Sequence, residues 1–334
     1  MASTASPNPR DASGCKRPAF AILIAVGPAV GAVIACLWRP DVLAALTLIP
    51  AWCWLLTGLV ATIPAWRMRG RRFACTLTAL WIVVSIGWVE DVSSAVRGAL
   101  AAFYSSTPPI GSQIRVVSLN CDSNERCLAD LQRVNPDVVL LQETPGKEAL
   151  EKMTRQLFGE EGGFVAGGDT AILARGTVKP LFVGRGSHFV AATVELENGR
   201  ELDCVSLRLA PPPSRLDFWT IGFWTEHCEL RDLHRRQLRQ VVARLRELPS
   251  PSLLIGGDFN STGLDRALDT LRPQLADAFS ASGVGWGATG TNDWPLFRVD
   301  QIWTNFRLVP VKTWAAETGF SDHRMVVCDI RVGE

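Results

Sequence analysis

The stretch LLIGGDFNS, residues 253–261, begins as a buried strand and ends in polar side chains. Its apolar residues are followed by Gly256 and Gly257, after which Asp258 and Asn260 stand one residue apart. An apolar run bounded by glycine is typical of a strand inside a sheet. The glycines are expected to let the backbone turn, so that the two polar side chains meet a polar ligand. The stretch therefore predicts a binding or catalytic site at a strand end.

The surrounding residues predict an α/β domain. Strand-like RVVSLN (115–120) and DVVLLQE (137–143) alternate with helical ERCLADLQRV (125–134) and KEALEKMTRQLF (147–158). Shorter runs then indicate antiparallel strands, namely TAILA (170–174), HFVAATVEL (188–196) and ELDCVSLRL (201–209). A helix with leucine and valine at helical spacing covers 230–248, and FRVDQIWTN and RMVVCDIRV read as two final strands. This pattern predicts one domain with a mixed sheet covered by helices.

The N-terminal third carries three apolar runs without a charged residue: 18–38, 42–66 and 73–89. Each approaches the roughly 20 residues that cross a hydrocarbon core. We therefore expect a tail at 1–17, a three-helix membrane anchor at 18–92, a linker at 93–113 and a folded domain at 114–334. A cleaved signal peptide is the alternative reading of the first run.

The basic residues predict the orientation of this anchor. Arg10, Lys16 and Arg17 precede the first run, and four arginines at 67–72 separate the second run from the third. Basic flanks and loops stay in the cytoplasm, so an odd number of spans places the C-terminal domain outside it. The runs contain no ionisable residue that could line a transport path, which argues against a channel.

Charge and cysteine content give weaker indications. Residues 112–334 hold 25 of the 34 basic and 29 of the 33 acidic side chains, a net charge of −4. Tight nucleic-acid binders usually present a basic face, so this balance disfavours a processive one. Cys121 and Cys127 either close a short disulfide loop or remain buried thiols.

Polar side chains stand at several predicted strand ends. These are Asn120, Glu143, Asp258, Asn260 and the pair Asp322 and His323. Carboxylate and amide oxygens are the ligands that Mg²⁺ prefers, and a histidine beside them can act on a phosphate. Asp300 lies inside the apolar FRVDQIW, where burial requires a partner such as histidine.

The motifs SLN, LLQE, GDFN, VDQI and SDH, in this order between residues 114 and 332, resemble the endonuclease/exonuclease/phosphatase superfamily. This superfamily includes pancreatic-type deoxyribonuclease, abasic-site endonucleases, inositol polyphosphate 5-phosphatases and bacterial sphingomyelinases. The resemblance implies a four-layer α/β sandwich of two packed mixed sheets flanked by helices.

The resemblance also implies roles for single residues. Glu143 matches the glutamate that binds Mg²⁺ or Mn²⁺, and Asn120 and Asp322 match residues that help to hold the metal. Asp258 matches the aspartate that aligns the attacking water, and Asn260 matches a phosphate contact. His323 matches the histidine that assists attack or stabilises the phosphoryl charge, and Asp300 matches the carboxylate that orients it.

One position departs from the family pattern. Arg208, in SLRLAPP, stands where the family usually has a histidine. Arginine cannot shuttle a proton, but its planar fork binds phosphate oxygens. Arg208 is therefore either a phosphate clamp or the partner of a carboxylate. The aromatic loop at 211–228 either packs on the core as a lid or dips into a bilayer.

These features together predict a membrane-anchored, metal-dependent phosphoesterase that acts outside the cytoplasm on nucleic acid or another phosphate ester. A phospholipid or lipid-linked phosphate hydrolase is the first alternative. A non-catalytic binding module that kept the fold is the second, because the usual histidine is missing. The sequence indicates no protein partner.

Overall fold

The computed structural model describes residues 27, 31, 34–69, 71–88, 90–103, 113–184, 186–247 and 250–333. Most of the first predicted run, 18–38, and most of the linker residues at 105–113 lie outside them. The chain divides into two compact units. The first comprises Met1–Pro40 with Ile49–Ser93, and the second comprises Asp41–Leu48 with Ser94–Glu334.

In the first unit, the helices Ala51–Arg69 and Arg71–Trp88 pack together, with Gly58 against the ring of Trp81. The predicted run 42–66 is not one helix. It is interrupted before Pro50, so that Asp41–Leu48 forms a separate 3-10 helix. Proline lacks the N–H that a continuous helix requires, which explains the break.

Of the helices in the described ranges, none is by itself both long and apolar enough to cross a membrane. Taken together, the two parts of the broken pair Asp41–Leu48 and Trp52–Val60 have the length and composition of a membrane span.

The second unit contains two six-stranded sheets. The strands are β1 (Gln113–Asn120), β2 (Val138–Gln142), β3 (Gly163–Gly167), β4 (Thr170–Ala174), β5 (Gly176–Val183), β6 (Phe189–Leu196), β7 (Glu201–Arg208), β8 (Leu253–Asp258), β9 (Ala276–Asp277), β10 (Asp300–Thr304), β11 (Leu308–Ala316) and β12 (Met325–Val332). In the first sheet the strands stand in the order β11-β12-β1-β2-β4-β3, and in the second in the order β5-β6-β7-β8-β10-β9.

Helices cover both outer faces. Helices Leu128–Val134 and Lys147–Phe158 pack on the first sheet, and the long helix Ile221–Leu245 packs on the second. The inner faces meet in one apolar core to which both sheets contribute, with Val116 and Leu140 on one side and Ala192 and Ile302 on the other. The predicted α/β sandwich of two packed mixed sheets is thereby confirmed.

Strand direction brings the predicted polar residues to one end of the sandwich. β1 runs parallel to β2, and β7 runs parallel to β8, so their C-terminal ends lie at this edge. β12 is antiparallel to β1, and β10 is antiparallel to β8, so these two strands begin there. Residues after the first set of strands and before the second set therefore meet at a common edge.

The glycines of the opening stretch have a different role from the predicted one. Gly256 and Gly257 do not turn the backbone, because both lie within β8. A Cβ at Gly257 would lie 1.9 Å from the carbonyl oxygen of Leu207, and one at Gly256 would lie 2.5 Å from Leu140 Cδ1. They let β8 approach its neighbours closely, and the turn follows at Asn260, whose φ is +47°.

Two segments upstream of β1 complete the second unit. In the helix Glu90–Phe103, the Ser94 hydroxyl donates to the Gly285 carbonyl at 2.7 Å, and Arg97 Nε donates to the Gly283 carbonyl at 2.8 Å. The 3-10 helix Asp41–Leu48 packs on the long helix, where Arg235 pairs with Asp41. The predicted linker region 93–113 thus includes helix.

We expect Gly257→Ala to destabilise the protein by about 3 kcal/mol, because the new methyl group collides with the backbone of β7, which cannot move aside. Denaturant unfolding of the full chain measures this loss. Gly319→Ala is the matched control, since its Cβ would meet only Asp130 Oδ1 at 3.6 Å, an ordinary contact. Equal stability of the two variants would contradict the close-approach argument.

Candidate active site

Asp258 is a buried carboxylate of the site, at 1% exposure. Its Oδ1 accepts the Asn260 backbone N–H at 2.9 Å, and its Oδ2 accepts the Asn260 side-chain amide at 3.1 Å. The Asn260 amide also donates to the Leu209 carbonyl at 2.9 Å. These bonds close the turn after β8 and fix Asp258 and Asn260 relative to each other.

Asn120 connects the two sheets. Its amide nitrogen lies 2.9 Å from Glu143 Oε1, on the first sheet, and 3.3 Å from Asp258 Oδ2, on the second. Glu143 directly follows β2 and has a φ of +46°, a conformation that non-glycine residues rarely adopt. Backbone strain of this kind is concentrated at functional sites, where surrounding contacts hold it.

Arg208 ends β7 and bridges two carboxylates. Its Nη2 lies 2.6 Å from Glu143 Oε1, and its Nη1 lies 2.9 Å from Asp169 Oδ2. The carboxylate-partner alternative for Arg208 is therefore the arrangement in this structure. Sequence reasoning missed Asp169, although it follows two glycines in the turn between β3 and β4. The turn that these glycines predict was the feature of the sequence that could have identified Asp169 as a candidate site residue.

His323 and Asp300 form the predicted pair. His323 Nδ1 lies 2.8 Å from Asp300 Oδ2, and Asp300 is fully buried. Burial lowers the pKa of His323, but the Asp300 carboxylate outweighs it and raises the pKa to about 10. The imidazole is thus held in one orientation and is protonated at neutral pH.

A second hydrogen-bonded path joins His323 to Asn120. The Ser321 hydroxyl donates to the Asn120 backbone carbonyl at 2.6 Å and accepts the His323 backbone N–H at 3.0 Å. Asp322, between them, is exposed, and its backbone carbonyl accepts the Asn292 N–H. Its carboxylate also helps to raise the pKa of His323. Of the eight predicted site residues, seven share this edge through side-chain contacts, and Asp322 lies beside them.

The edge carries more negative than positive charge. Burial, reinforced by the nearby Asp300 carboxylate, raises the pKa of Asp258 to about 7. Possible ligand atoms of Asp258, Asp300 and His323 lie within 4.8 Å of one another, a spacing suitable for a metal ion. Glu143, whose side chain is 28% exposed, adds carboxylate oxygens nearby. Crowded, partly buried carboxylates of this type fit a hard divalent cation, which would offset their repulsion.

The remaining histidines and the cysteine pair lie outside these contacts. His227 and His234 are buried on the long helix, and His188 Nε2 donates to the Gln237 backbone carbonyl at 3.1 Å. Burial lowers the pKa of each. Cys121 and Cys127 are free, buried thiols rather than a disulfide.

This fold and this set of side chains define a hydrolase of phosphate esters. The model of the Endonuclease/Exonuclease/phosphatase family matches residues 117–323, and the chain belongs to this family. Its members are metal-dependent phosphoester hydrolases, so the chain is an enzyme of this class.

Solved structures share the fold at low sequence identity. A family protein from Bacteroides vulgatus has a TM-score of 0.52 at 12% identity, with 66% of this chain and 99% of that chain covered. The mannosyl-6-phosphatase of Bacteroides thetaiotaomicron has a TM-score of 0.51 at 14% identity, with coverage of 65% and 99%. Both similarities concern the fold alone. No curated protein matches this chain in sequence.

We expect Asp300→Asn to move the pKa of His323 from about 10 toward its ordinary value of 6.5, because the neutral amide no longer stabilises the imidazolium. NMR titration of the histidine ring signals measures this change. Asp322→Asn is the control, because that carboxylate is exposed and acts on His323 more weakly. A His323 pKa that stays near 10 in Asp300→Asn would contradict the assigned pair.

Proposed function

We propose that the protein is a divalent-metal-dependent phosphoesterase that cleaves a phosphate ester by in-line attack of water. The convergence of Asn120, Glu143, Asp258 and the His323–Asp300 pair at one edge carries this proposal. Mg²⁺ or Mn²⁺, bound chiefly by Glu143 with help from Asn120 and Asp322, would neutralise phosphate charge. Every matched position except 208 carries the residue expected from the family, which favours an enzyme over a binding module.

Each remaining side chain has a position suited to one task. Asp258 holds and orients the water, and its raised pKa near 7 suits a group that accepts a proton at neutral pH. His323, protonated and fixed by Asp300, donates to a phosphoryl oxygen as negative charge develops. Asn260 positions the Asp258 carboxylate through its backbone and side-chain N–H groups, and the leaving oxygen takes its proton from solvent.

Arg208 stays charged throughout and contributes no proton. Its contacts with Glu143 and Asp169 hold the guanidinium at the edge of the site, where its donors can also reach a phosphate oxygen. The missing histidine is therefore replaced by a fixed positive charge. A fixed positive charge can stabilise the negative charge that develops in the transition state. Such electrostatic stabilisation is usually the largest single contribution to catalysis.

An apolar rim favours a lipid or lipid-linked phosphate as a second candidate substrate, besides nucleic acid. Trp294 is 79% exposed, and it lies in the segment whose Gly290 pairs with His323. Phe218, Trp219 and Ile221 are also exposed, so these three do not pack as a lid. Exposed aromatic side chains suit the binding of an amphipathic ester.

We further propose that residues 18–92 anchor the protein in the inner or cell membrane and that the catalytic domain lies outside the cytoplasm. The support is the absence of charge from the three apolar runs and the four arginines at 67–72.

We expect Glu143→Gln and His323→Ala each to lower kcat by about 100-fold or more on bis-p-nitrophenyl phosphate, because each removes a charge from the reacting edge. Assays of the purified full chain with Mn²⁺ or Mg²⁺, and with EDTA, measure this loss and the metal requirement. Glu161→Gln, an exposed glutamate outside the site, is the control. Wild-type rates in both site variants would refute the mechanism. Hydrolysis rates measured in parallel on plasmid DNA, RNA and phospholipid vesicles show which class of substrate the enzyme prefers.

We expect alkaline phosphatase fused after residue 334 to be active in bacterial cells, because this reporter folds only outside the cytoplasm. A fusion after residue 70, in the predicted cytoplasmic loop, is the matched control and should be inactive. An inactive C-terminal fusion, with the fusion protein present at normal abundance, would refute the proposed orientation.

A further inference from the structure

A cavity of about 830 Å³ lies beside the long helix, and none of the proposed active-site residues lines it. Its walls contain four arginines, at positions 235, 236, 239 and 266, together with three aspartates, at positions 41, 232 and 269, and Thr270. We call it the arginine cavity. Its lining is mostly polar, unlike that of a typical pocket for an apolar ligand.

The acidic residues of the wall already have basic partners. Asp41 binds Arg235 through two contacts, of 2.5 and 2.8 Å, and Asp232 binds the same guanidinium at 2.9 Å. Asp269 pairs with Arg272 at 2.9 Å. Asp41 and Asp232 therefore share Arg235, Asp269 is engaged with Arg272, and the lining holds four arginines against three aspartates.

Arg236, Arg239 and Arg266 differ from Arg235, because none of them forms a hydrogen bond or ion pair with another residue in the described ranges. Guanidinium groups stay protonated at any physiological pH, so these three cannot relieve their mutual repulsion by losing a proton. The C-terminal part of the chain, 112–334, has a net charge of −4, so the cluster is not part of a generally basic surface. Three free guanidinium groups around one cavity indicate an anionic ligand.

The geometry of the donors favours phosphate among anions. A guanidinium fork matches two phosphate oxygens, and a terminal phosphate offers three oxygens and nearly two negative charges. Three arginines from two elements, the long helix and the 3-10 helix Arg266–Thr270, can approach such a group from different sides. A single carboxylate would leave one of them without a partner.

We propose that the arginine cavity binds a phosphate group, separate from the phosphate that is hydrolysed. The group is carried either by a lipid headgroup or by free phosphate. Asp41 in the cavity wall directly precedes the apolar run 42–66, which belongs to the proposed membrane anchor. A lipid headgroup is therefore the source of phosphate that this position favours. The proposal does not depend on the hydrolytic activity of the enzyme.

Calorimetric titration of the full chain tests this proposal, in uncharged detergent with EDTA and in the His323→Ala background, which removes a phosphate contact of the active site. The probes are inorganic phosphate and dioctanoyl phosphatidic acid, with dioctanoylglycerol as the tail control. We expect Arg236→Gln/Arg239→Gln to weaken binding of the phosphate-bearing probe at least about tenfold, because two charge-assisted contacts are lost. Both arginines are exposed, so the variant is expected to fold.

Arg244→Gln/Arg246→Gln is the matched control, since it removes the same charge near the end of the same helix but outside the cavity. Unchanged affinity in the control, with loss in the cavity variant, supports the proposal. Equal loss in both variants, or no binding of either probe, overturns it. Tighter binding of phosphatidic acid than of phosphate, without binding of dioctanoylglycerol, identifies the lipid headgroup, and equal affinity identifies free phosphate.

Discussion

Negative charge concentrated at one edge of the sandwich is the constraint on which the site depends. Glu143, Asp258 and Asp300 converge there, and Asp258 and Asp300 are buried. Fixed positive charge comes from Arg208 on one side and from protonated His323 on the other. Glu143 pairs with Arg208 and Asp300 pairs with His323, whereas Asp258 is held by the N–H groups of Asn120 and Asn260. This arrangement sets the protonation states of the site.

The backbone produces this convergence through strand direction and close packing. Two parallel pairs end at the same edge, and the antiparallel strands β10 and β12 begin there. Gly256 and Gly257 remove the side chains that would push β8 away from β7 and from the opposite sheet. The positive φ values of Glu143 and Asn260 then aim both side chains into the gap. The strain of these two residues is sustained by the core beneath them.

The sequence predicted the helices and strands whose residue pattern is local and uninterrupted. Helix Lys147–Phe158 and strand β4 have the predicted bounds, and the polar strand ends meet as expected. Strands β5 and β11 were missed because Pro180 and Pro310 interrupt their patterns. Both are edge strands with an irregularity at the proline, a place where sheets tolerate it. The long helix begins nine residues before the predicted start, at the Thr220 cap, within a segment whose aromatic residues resembled a loop.

Contacts between segments that are far apart in the chain could not be predicted from the sequence, and Arg231 is an example. Its side chain is fully buried, and it bonds to the Ala44 carbonyl at 3.2 Å and the Thr47 hydroxyl at 3.0 Å, with Asp265 3.1 Å from its Nε. A buried guanidinium without partners is costly, so the 3-10 helix Asp41–Leu48 stabilises the domain on which it packs.

The same 3-10 helix also reaches toward the site. The Thr262 hydroxyl donates to the Thr47 carbonyl at 2.5 Å, and Thr262 lies two residues after Asn260. Residues from an apolar N-terminal run thus support the turn that carries Asp258 and Asn260. Removal of Asp41–Leu48 would leave Arg231 with Asp265 but without its contacts to the Ala44 carbonyl and the Thr47 hydroxyl. The full chain, rather than a fragment that begins near residue 114, is therefore the appropriate form in which to measure this enzyme's chemistry.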